Sequence, residues 1–409
     1  MVIAETSAAA PRRISVFGAT GSIGVSTLDL IARNRDRFDV VALTAHSSAA
    51  QLAEQALEFR PEVAVIADDG AYMELKSALA GSGIEVAAGK AGLVEAARRP
   101  ADWVMASIVG AAGLEPALAA LQQGTILGLA NKECLVSAGD FFMSEVARTG
   151  ATLIPVDSEH SAIFQVFDPD RIANVARIVL TASGGPFRDW SLDRLAAATR
   201  AEALQHPNWE MGAKITIDSA TMMNKGLELI EAHYLFPVGE ERIDILVHPQ
   251  SIIHSVVEYD DGSVLAQMGM PDMRTPIAYA LAWPERMKTP VERLDLAEIG
   301  QLTFESPDSE RFPALAIARE ALKTGRGAPT VMNAANEVAV AAFLADRIGY
   351  LDIARFVEQT IDQADRTGEL CRPGSLEDVL SLDAAGRELC SALISGRPES
   401  RQRRAPAAL

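Results

Sequence analysis

Short, continuous apolar runs alternate with helix-period segments over residues 13–155. RISVFG, DVVALTA, VAVIAD, WVMASIVG and TLIPV read as buried strands, and IGVSTLDLIARN, SAAQLAEQALEF and LEPALAALQQG as helices between them. Strands that are apolar on both faces and separated by helices predict a parallel sheet covered on both sides, the α/β class. The texture changes after Val156. IVLTASGG, AKITIDSATM, IDILVHPQS, IIHSVVEYDDG and SVLAQMGM read as strands, Asp260-Asp261-Gly262 as a hairpin turn, and residues 224–234 as the one obvious helix. This pattern predicts an α+β unit with a mixed or mostly antiparallel sheet. Residues 286–311 are rich in proline, charge and turn formers. Helical periodicity returns in FPALAIAREALKTG, APTVMNAANEVAVAAFLADR, YLDIARFVEQTIDQAD and SLEDVLSLDAAGRELCSALI. The expected units are 13–155, 156–285, a connection at 286–311, a helical bundle at 312–397 and a disordered tail at 398–409.

Composition narrows the possible partners. A chain of 409 residues exceeds one ordinary core, and 49% hydrophobic with 22% charged residues is a globular profile. With 37 basic against 55 acidic residues the net charge is −18, which disfavours nucleic acid and anionic membranes as partners. An anionic ligand must then be held by local donors working against the overall field. No uncharged apolar stretch is long enough to cross a bilayer. In MVIAETSAAAPRR the basic pair follows the apolar residues, the reverse of a secretory signal, so the stretch reads as a disordered lead. Arg401, Arg403 and Arg404 form the only basic cluster, at the solvated tail. Cys134, Cys371 and Cys390 are odd in number and far apart, which argues against a disulfide framework or zinc cluster and for a reducing cytoplasm.

Two constellations carry chemistry. Gly18-Ala19-Thr20-Gly21-Ser22-Ile23-Gly24 joins the first strand to the first helix, where glycines admit a dinucleotide pyrophosphate to the helix N-terminus. A Rossmann-like domain is expected, although any tight strand-to-helix turn also uses glycine. The second strand ends in His46-Ser47-Ser48 without a carboxylate, which favours NADP over NAD. In the second unit Asp157 and Glu159 follow TLIPV, and Glu228 lies at the start of a helix. Three hard oxygen donors suit Mg²⁺ or Mn²⁺, whereas the first two also fit as helix N-terminal acids. Ser183-Gly184-Gly185, Ser219, Asn224 and Lys225 could cradle a phosphate, or serve as caps and turns. His206-Pro207-Asn208-Trp209 reads as a loop whose tryptophan either covers a substrate or packs on its own domain. Asn131-Lys132-Glu133 follows the strand-like TILGLA and could face the same cleft.

The blocks GATGSIG, LANKECLVSAG, PVDSEHSAIFQ, TASGGPFR, HPNWEMGAKITIDSATMMNKGLELIEAHYLF, HPQSIIHSVVEY and NAANEVAVAAFL, in this order, resemble the 1-deoxy-D-xylulose 5-phosphate reductoisomerase family. The resemblance runs from Gly18 to Leu344. It implies metal ligands at Asp157, Glu159 and Glu228, which with Lys132 and His206 form the catalytic set. It implies substrate contacts at Lys132, Ser158, Glu159, Ser183, His206, Trp209, Ser219, Asn224, Lys225 and Glu228. Cofactor contacts are implied at Thr20, Gly21, Ser22, Ile23, Asn131, Glu133 and Gly212, with His46, Ser47 and Ser48 at the adenosine end. Many family members carry a glycine, a basic or small polar residue and an asparagine where this chain has His46-Ser47-Ser48. The family's activity, NADPH-dependent and metal-dependent conversion of the ketose phosphate to 2-C-methyl-D-erythritol 4-phosphate, is the expected function, with a homodimer as the expected assembly.

Overall fold

The computed structural model describes residues 10–209 and 211–396. The expected tail at 398–409 lies outside them, as does most of the lead, but Arg12 and Arg13 open the first strand. Seven parallel strands build the large sheet: β1 (Arg12–Phe17), β2 (Phe38–Ala45), β3 (Val63–Ile66), β4 (Glu85–Ala88), β5 (Trp103–Ala106), β6 (Ile126–Leu129) and β7 (Thr152–Pro155). Their order is β4-β3-β2-β1-β5-β6-β7, so the strand order reverses between β1 and β5. The helices α1 (Ser22–Ala32), α2 (Ala49–Phe59), α3 (Tyr72–Ala78), α4 (Gly89–Ala97), α5 (Leu114–Leu121) and α6 (Glu133–Thr149) alternate with them. Ile14 and Val16 pack into one core and Phe17 into another, so β1 is buried on both faces. In such a sheet every strand delivers its following loop to the carboxyl edge, where ligands bind.

The smaller sheet has the order β11-β10-β8-β9, from β8 (Val175–Ala182), β9 (Ile243–Val247), β10 (Ile253–Tyr259) and β11 (Val264–Met268). It is mixed: β8 and β9 are parallel, and the other pairs antiparallel. Gly262, in the hairpin turn between β10 and β11, has a φ of 82°. Around this sheet lie α7 (Ser158–Val166), the short α8 (Leu192–Ala196) and α9 (Arg200–Ala203), α10 (Ala213–Ala220), α11 (Met223–Leu235) and α12 (Arg274–Ala282). More helix is present here than the expected single segment. AKITIDSATM, expected as a strand, is the helix α10. Its β-branched residues mimic a strand, but Lys214 and Asp218 pair one turn apart and the Thr216 hydroxyl donates to Gly212 O, both contacts that need a helix.

After α12 the chain runs through the short α13 (Leu296–Ile299) and one bridge, Val247 to Glu305, before the bundle. The bundle comprises α14 (Ala314–Thr324), α15 (Ala328–Leu344), α16 (Tyr350–Thr367) and α17 (Leu376–Ser395). One continuous core joins it to the smaller sheet. By contrast, Ile277, Ala280 and Leu281 of α12 pack into the large sheet's core, where the Trp103 indole donates to Ala280 O. No described helix is long and apolar enough to cross a membrane.

Candidate active site

Three chain segments meet beyond β6 and β7. Asp157 caps α7 and Glu159 lies in its first turn, while Glu228 projects from α11. One oxygen from each carboxylate lies within 4.8 Å of the others. The Asp157 side chain makes no capping bond; it turns instead to Lys132 Nζ at 2.7 Å. Lys132 precedes α6, and its ammonium also reaches Asn224 Oδ1 at 2.9 Å and Glu228 at 3.3 Å. Lys225 donates to Glu159 at 2.8 Å and to Glu228. Asn224, Lys225 and Glu228 stand three and four residues apart on α11, so one helical face presents all three. Gly139 permits the crossing that brings α6 to this face: a Cβ there would lie 2.1 Å from the Tyr234 ring of α11.

Three carboxylates therefore face two ammoniums in a largely buried site. Burial pushes Asp157 up, yet Lys132 and His160 hold it well below the usual carboxylate range. Burial and the neighbouring Glu228 raise Glu159, against Lys225. Burial lowers both lysines, but the facing carboxylates raise each above its ordinary value. Behind the cluster, His160 links its Nε2 to Glu228 O at 2.9 Å and faces Glu231 at 3.1 Å through Nδ1. This fully buried pair was not singled out from sequence; the one signal was its histidine directly after Glu159.

The expected phosphate cradle assembles in part. The backbone N–H groups of Asn208 and Trp209 donate to His206 Nδ1 at 3.2 and 3.0 Å, so Nε2 carries the proton and donates to Ser183 Oγ at 3.1 Å. Gly185 N donates to the same oxygen at 3.2 Å. Burial lowers His206 to about 4, which keeps this ring neutral. Gly184 and Gly185 both have left-handed φ, and a Cβ on Gly185 would meet Ser219 O at 2.7 Å. That close approach brings the Ser183 loop against the end of α10. The Lys225 ammonium pairs with Glu159 and Glu228, an arrangement that offsets buried charge. Asn208 anchors the loop through Pro249 O at 2.7 Å and Ser251 Oγ at 2.9 Å, and the half-buried Trp209 lies 6.5 Å from the His254 ring. Ser158 and His254 line a small cleft with Gln267 and Asp272.

The glycine turn occupies the carboxyl end of β1. Thr44 of β2 fixes it by accepting from Gly18 N at 3.0 Å through its hydroxyl and from Ala19 N at 2.7 Å through its carbonyl. A Cβ on Gly24 would lie 2.2 Å from Gly18 O, so the helix can start here only with glycine. Gly21 and Ser22 are exposed at the start of α1, with Thr20 and Ile23 half-buried beside them. His46, Ser47 and Ser48 are exposed after β2. Asn131 is buried, and its side chain bonds Gly110 O, Ile108 O and Cys134 N, so it shapes the loop after β5. Glu133 faces Lys214. Gly212 caps α10, and nothing stands within 4 Å of a Cβ there. Cys134 is fully buried in the core of the large sheet.

Three family models match the chain. The model described as 1-deoxy-D-xylulose 5-phosphate reductoisomerase matches residues 14–139, that of its C-terminal domain residues 153–236, and that of the DXP reductoisomerase C-terminal domain residues 268–389. The 1-deoxy-D-xylulose 5-phosphate reductoisomerase of Rhodospirillum centenum is 60% identical over 390 residues, covering 95% of this chain and 96% of that one. The Zymomonas mobilis protein of that name is 57% identical over 388 residues, covering 95% and 99%. Among solved structures, the Zymomonas mobilis enzyme in complex with NADPH superposes with a TM-score of 0.90 at 56% identity, over 95% of this chain and 100% of that one. A DOX-P reductoisomerase in complex with NADPH, fosmidomycin and magnesium also gives 0.90, at 43% identity over 94% and 98%.

Proposed function

Because the chain belongs to the 1-deoxy-D-xylulose 5-phosphate reductoisomerase family, we infer that it is an NADP-dependent oxidoreductase that rearranges and reduces 1-deoxy-D-xylulose 5-phosphate to 2-C-methyl-D-erythritol 4-phosphate. The reaction uses NADPH and a divalent metal and belongs to non-mevalonate isoprenoid precursor biosynthesis. The observation that carries the site assignment is the convergence of Asp157, Glu159 and Glu228 within 4.8 Å. Their all-oxygen donor set fits Mg²⁺ or Mn²⁺, and the lysines beside them show how much negative charge the site must offset. The glycine turn fits a dinucleotide: Gly18 and Gly24 have no Cβ where one would stand 2.8 and 2.2 Å from backbone oxygens, and Gly21 and Ser22 lie exposed at the start of α1.

A bound divalent ion supplies Lewis-acid polarisation of a carbonyl and lowers the pKa of an adjacent hydroxyl; NADPH supplies the hydride. The protein's own residues do the positioning. Ser183, His206 and Gly185, with Ser219 and Asn224 nearby, hold the phosphate, so that binding energy far from the reacting carbons orients them. Neutral His206 offers a hydrogen-bond donor at Nε2 and keeps Nδ1 for the loop's own backbone. Lys132 and Lys225 steady the carboxylates and stand ready to bond substrate oxygens with Ser158. Trp209 covers the site and excludes water. The cofactor lies along Thr20, Gly21, Ser22 and Ile23, its adenosine end at His46, Ser47 and Ser48, with Asn131, Glu133 and Gly212 toward the nicotinamide.

This division assigns residues 13–155 to cofactor binding, 156–285 to catalysis and 312–397 to the supporting bundle, joined by 286–311. A homodimer through the smaller sheet is supported by the edge strand β11, whose Val264 and Leu265 are 59% and 46% exposed. A cytoplasmic location is supported by three free cysteines, one of them exposed. The test is NADPH oxidation followed by absorbance with 1-deoxy-D-xylulose 5-phosphate. Oxidation with formation of the branched polyol phosphate is expected, and no oxidation with Mn²⁺ supplied would overturn the reading.

A further inference from the structure

A second, separate cluster of buried charge lies where α10 leaves the His206–Trp209 loop. Lys214 Nζ contacts Asp218 Oδ2 at 2.8 Å and Glu133 Oε1 at 3.6 Å. Both carboxylates are buried: Asp218 is 1% exposed and Glu133 6%. Asp218 is fixed from behind, its Oδ1 accepting from the buried Asn336 of α15 at 2.8 Å. Glu337, next along α15, pairs with Arg387 and adds its negative charge to the field around this ammonium. Glu133 opens α6 at the carboxyl edge of the large sheet, directly after Lys132 of the carboxylate cluster. One ammonium thus joins the cofactor side of the cleft, through Glu133, to the helix that continues the loop. Burial lowers Lys214, but Asp218 and Glu133 raise it to about 12, so it stays charged at neutral pH.

We propose that Lys214 is a positioning residue for the dinucleotide: its salt bridges hold Glu133 and the start of α10 in register, so that cofactor binding and the placement of the His206–Trp209 loop are coupled. The inference rests on the reading of Glu133 and Gly212 as cofactor contacts. Without the ammonium, Glu133 and Asp218 would be two buried carboxylates left uncompensated near a polyanionic ligand, and each would be driven to turn away.

The experiment compares NADPH affinity, by fluorescence titration of the whole enzyme, with turnover kinetics for Lys214→Met, Lys214→Arg and Asp218→Asn. Lys214→Met is expected to weaken NADPH binding roughly tenfold, in the range typical of coupled sites. Lys214→Arg should restore most of it. Asp218→Asn keeps the ammonium and loosens its anchor, so it should weaken NADPH binding less. In all three, KM for NADPH should move more than KM for the sugar phosphate, a split that general destabilisation would not produce. If Lys214→Met fails to fold, Asp218→Asn carries the test. NADPH binding at the wild-type level in Lys214→Met, or in Asp218→Asn where that variant alone folds, would overturn the proposal. Wild-type turnover is measured in the same series, so loss of the proposed activity itself would register separately.

Discussion

At the scale of single residues, the site depends on where protons and charges sit. Ser183 and Ser219 lie outside the apolar cores, so their removal should act on substrate binding and on the turn that Ser183 ties to His206 and Gly185. The pair Ser183→Ala with Ser219→Ala is expected to raise KM for the phosphorylated substrate on the order of tenfold or more, two lost hydrogen bonds to a charged group, and to leave KM for NADPH nearly unchanged. Steady-state kinetics in both substrates check this, and equal effects would remove the phosphate assignment. His206 gives a prediction about pH. Its folded value of about 4 lies below the ordinary 6.5, so between those values the unfolded chain binds more protons. The stability it contributes is complete above about 6.5 and declines as pH falls toward 4. Thermal denaturation of the wild type and His206→Asn should show a stability gap that narrows across that window; a constant gap would contradict it.

Elements explain how distant residues converge. Lys132 reaches Glu228 because α6 crosses α11 closely at Gly139, where a Cβ would lie 2.1 Å from the Tyr234 ring. Gly139→Ala should therefore cost about 1–3 kcal/mol of stability through overpacking and raise KM for the substrate by shifting Lys132. Chemical denaturation and kinetics measure both, and a neutral result would mean that the crossing adjusts freely. Local pattern revealed most elements: β1 and its glycine turn, α11, and the β10–β11 hairpin stand where apolar runs and turn residues indicated. It misled at α10, where Ile215, Thr216 and Ile217 alternate as in a strand but the Lys214–Asp218 pair fixes a helix. It missed α12 as well. That helix is stabilised by the large sheet's core and by Arg12, whose guanidinium donates to Leu281 O and Trp283 O more than 260 residues away in sequence.

For the whole molecule, the carboxyl edge of the large sheet carries the glycine turn, the Asn131–Glu133 segment and Asp157, and α11 brings Asn224, Lys225 and Glu228 to Lys132 and Glu159 there. The motif blocks made the residues proposed for metal and phosphate legible as a set, since each block carries its own donors. Partners set by packing were not legible: the commitment of Lys225 to Glu159 and Glu228, the His160–Glu231 pair behind the site, and the link from Lys214 to Glu133. Lys225 and Glu228 stand one turn apart on α11, but the other contacts join residues 66 or more positions apart, which no local spacing encodes. Arg274 adds a strap between the two sides, pairing with Asp272 at 2.6 Å and with Asp29 of α1 at 3.4 Å. The most direct test of the account is Mn²⁺ binding to the wild type and to Glu228→Gln, followed by electron paramagnetic resonance of the free ion and paired with NADPH oxidation after EDTA. The account predicts one site per chain in the wild type, weakened by at least about tenfold in the variant, with turnover lost on chelation and restored by added metal. Equal Mn²⁺ affinity in the two proteins, or turnover that survives EDTA, would contradict it.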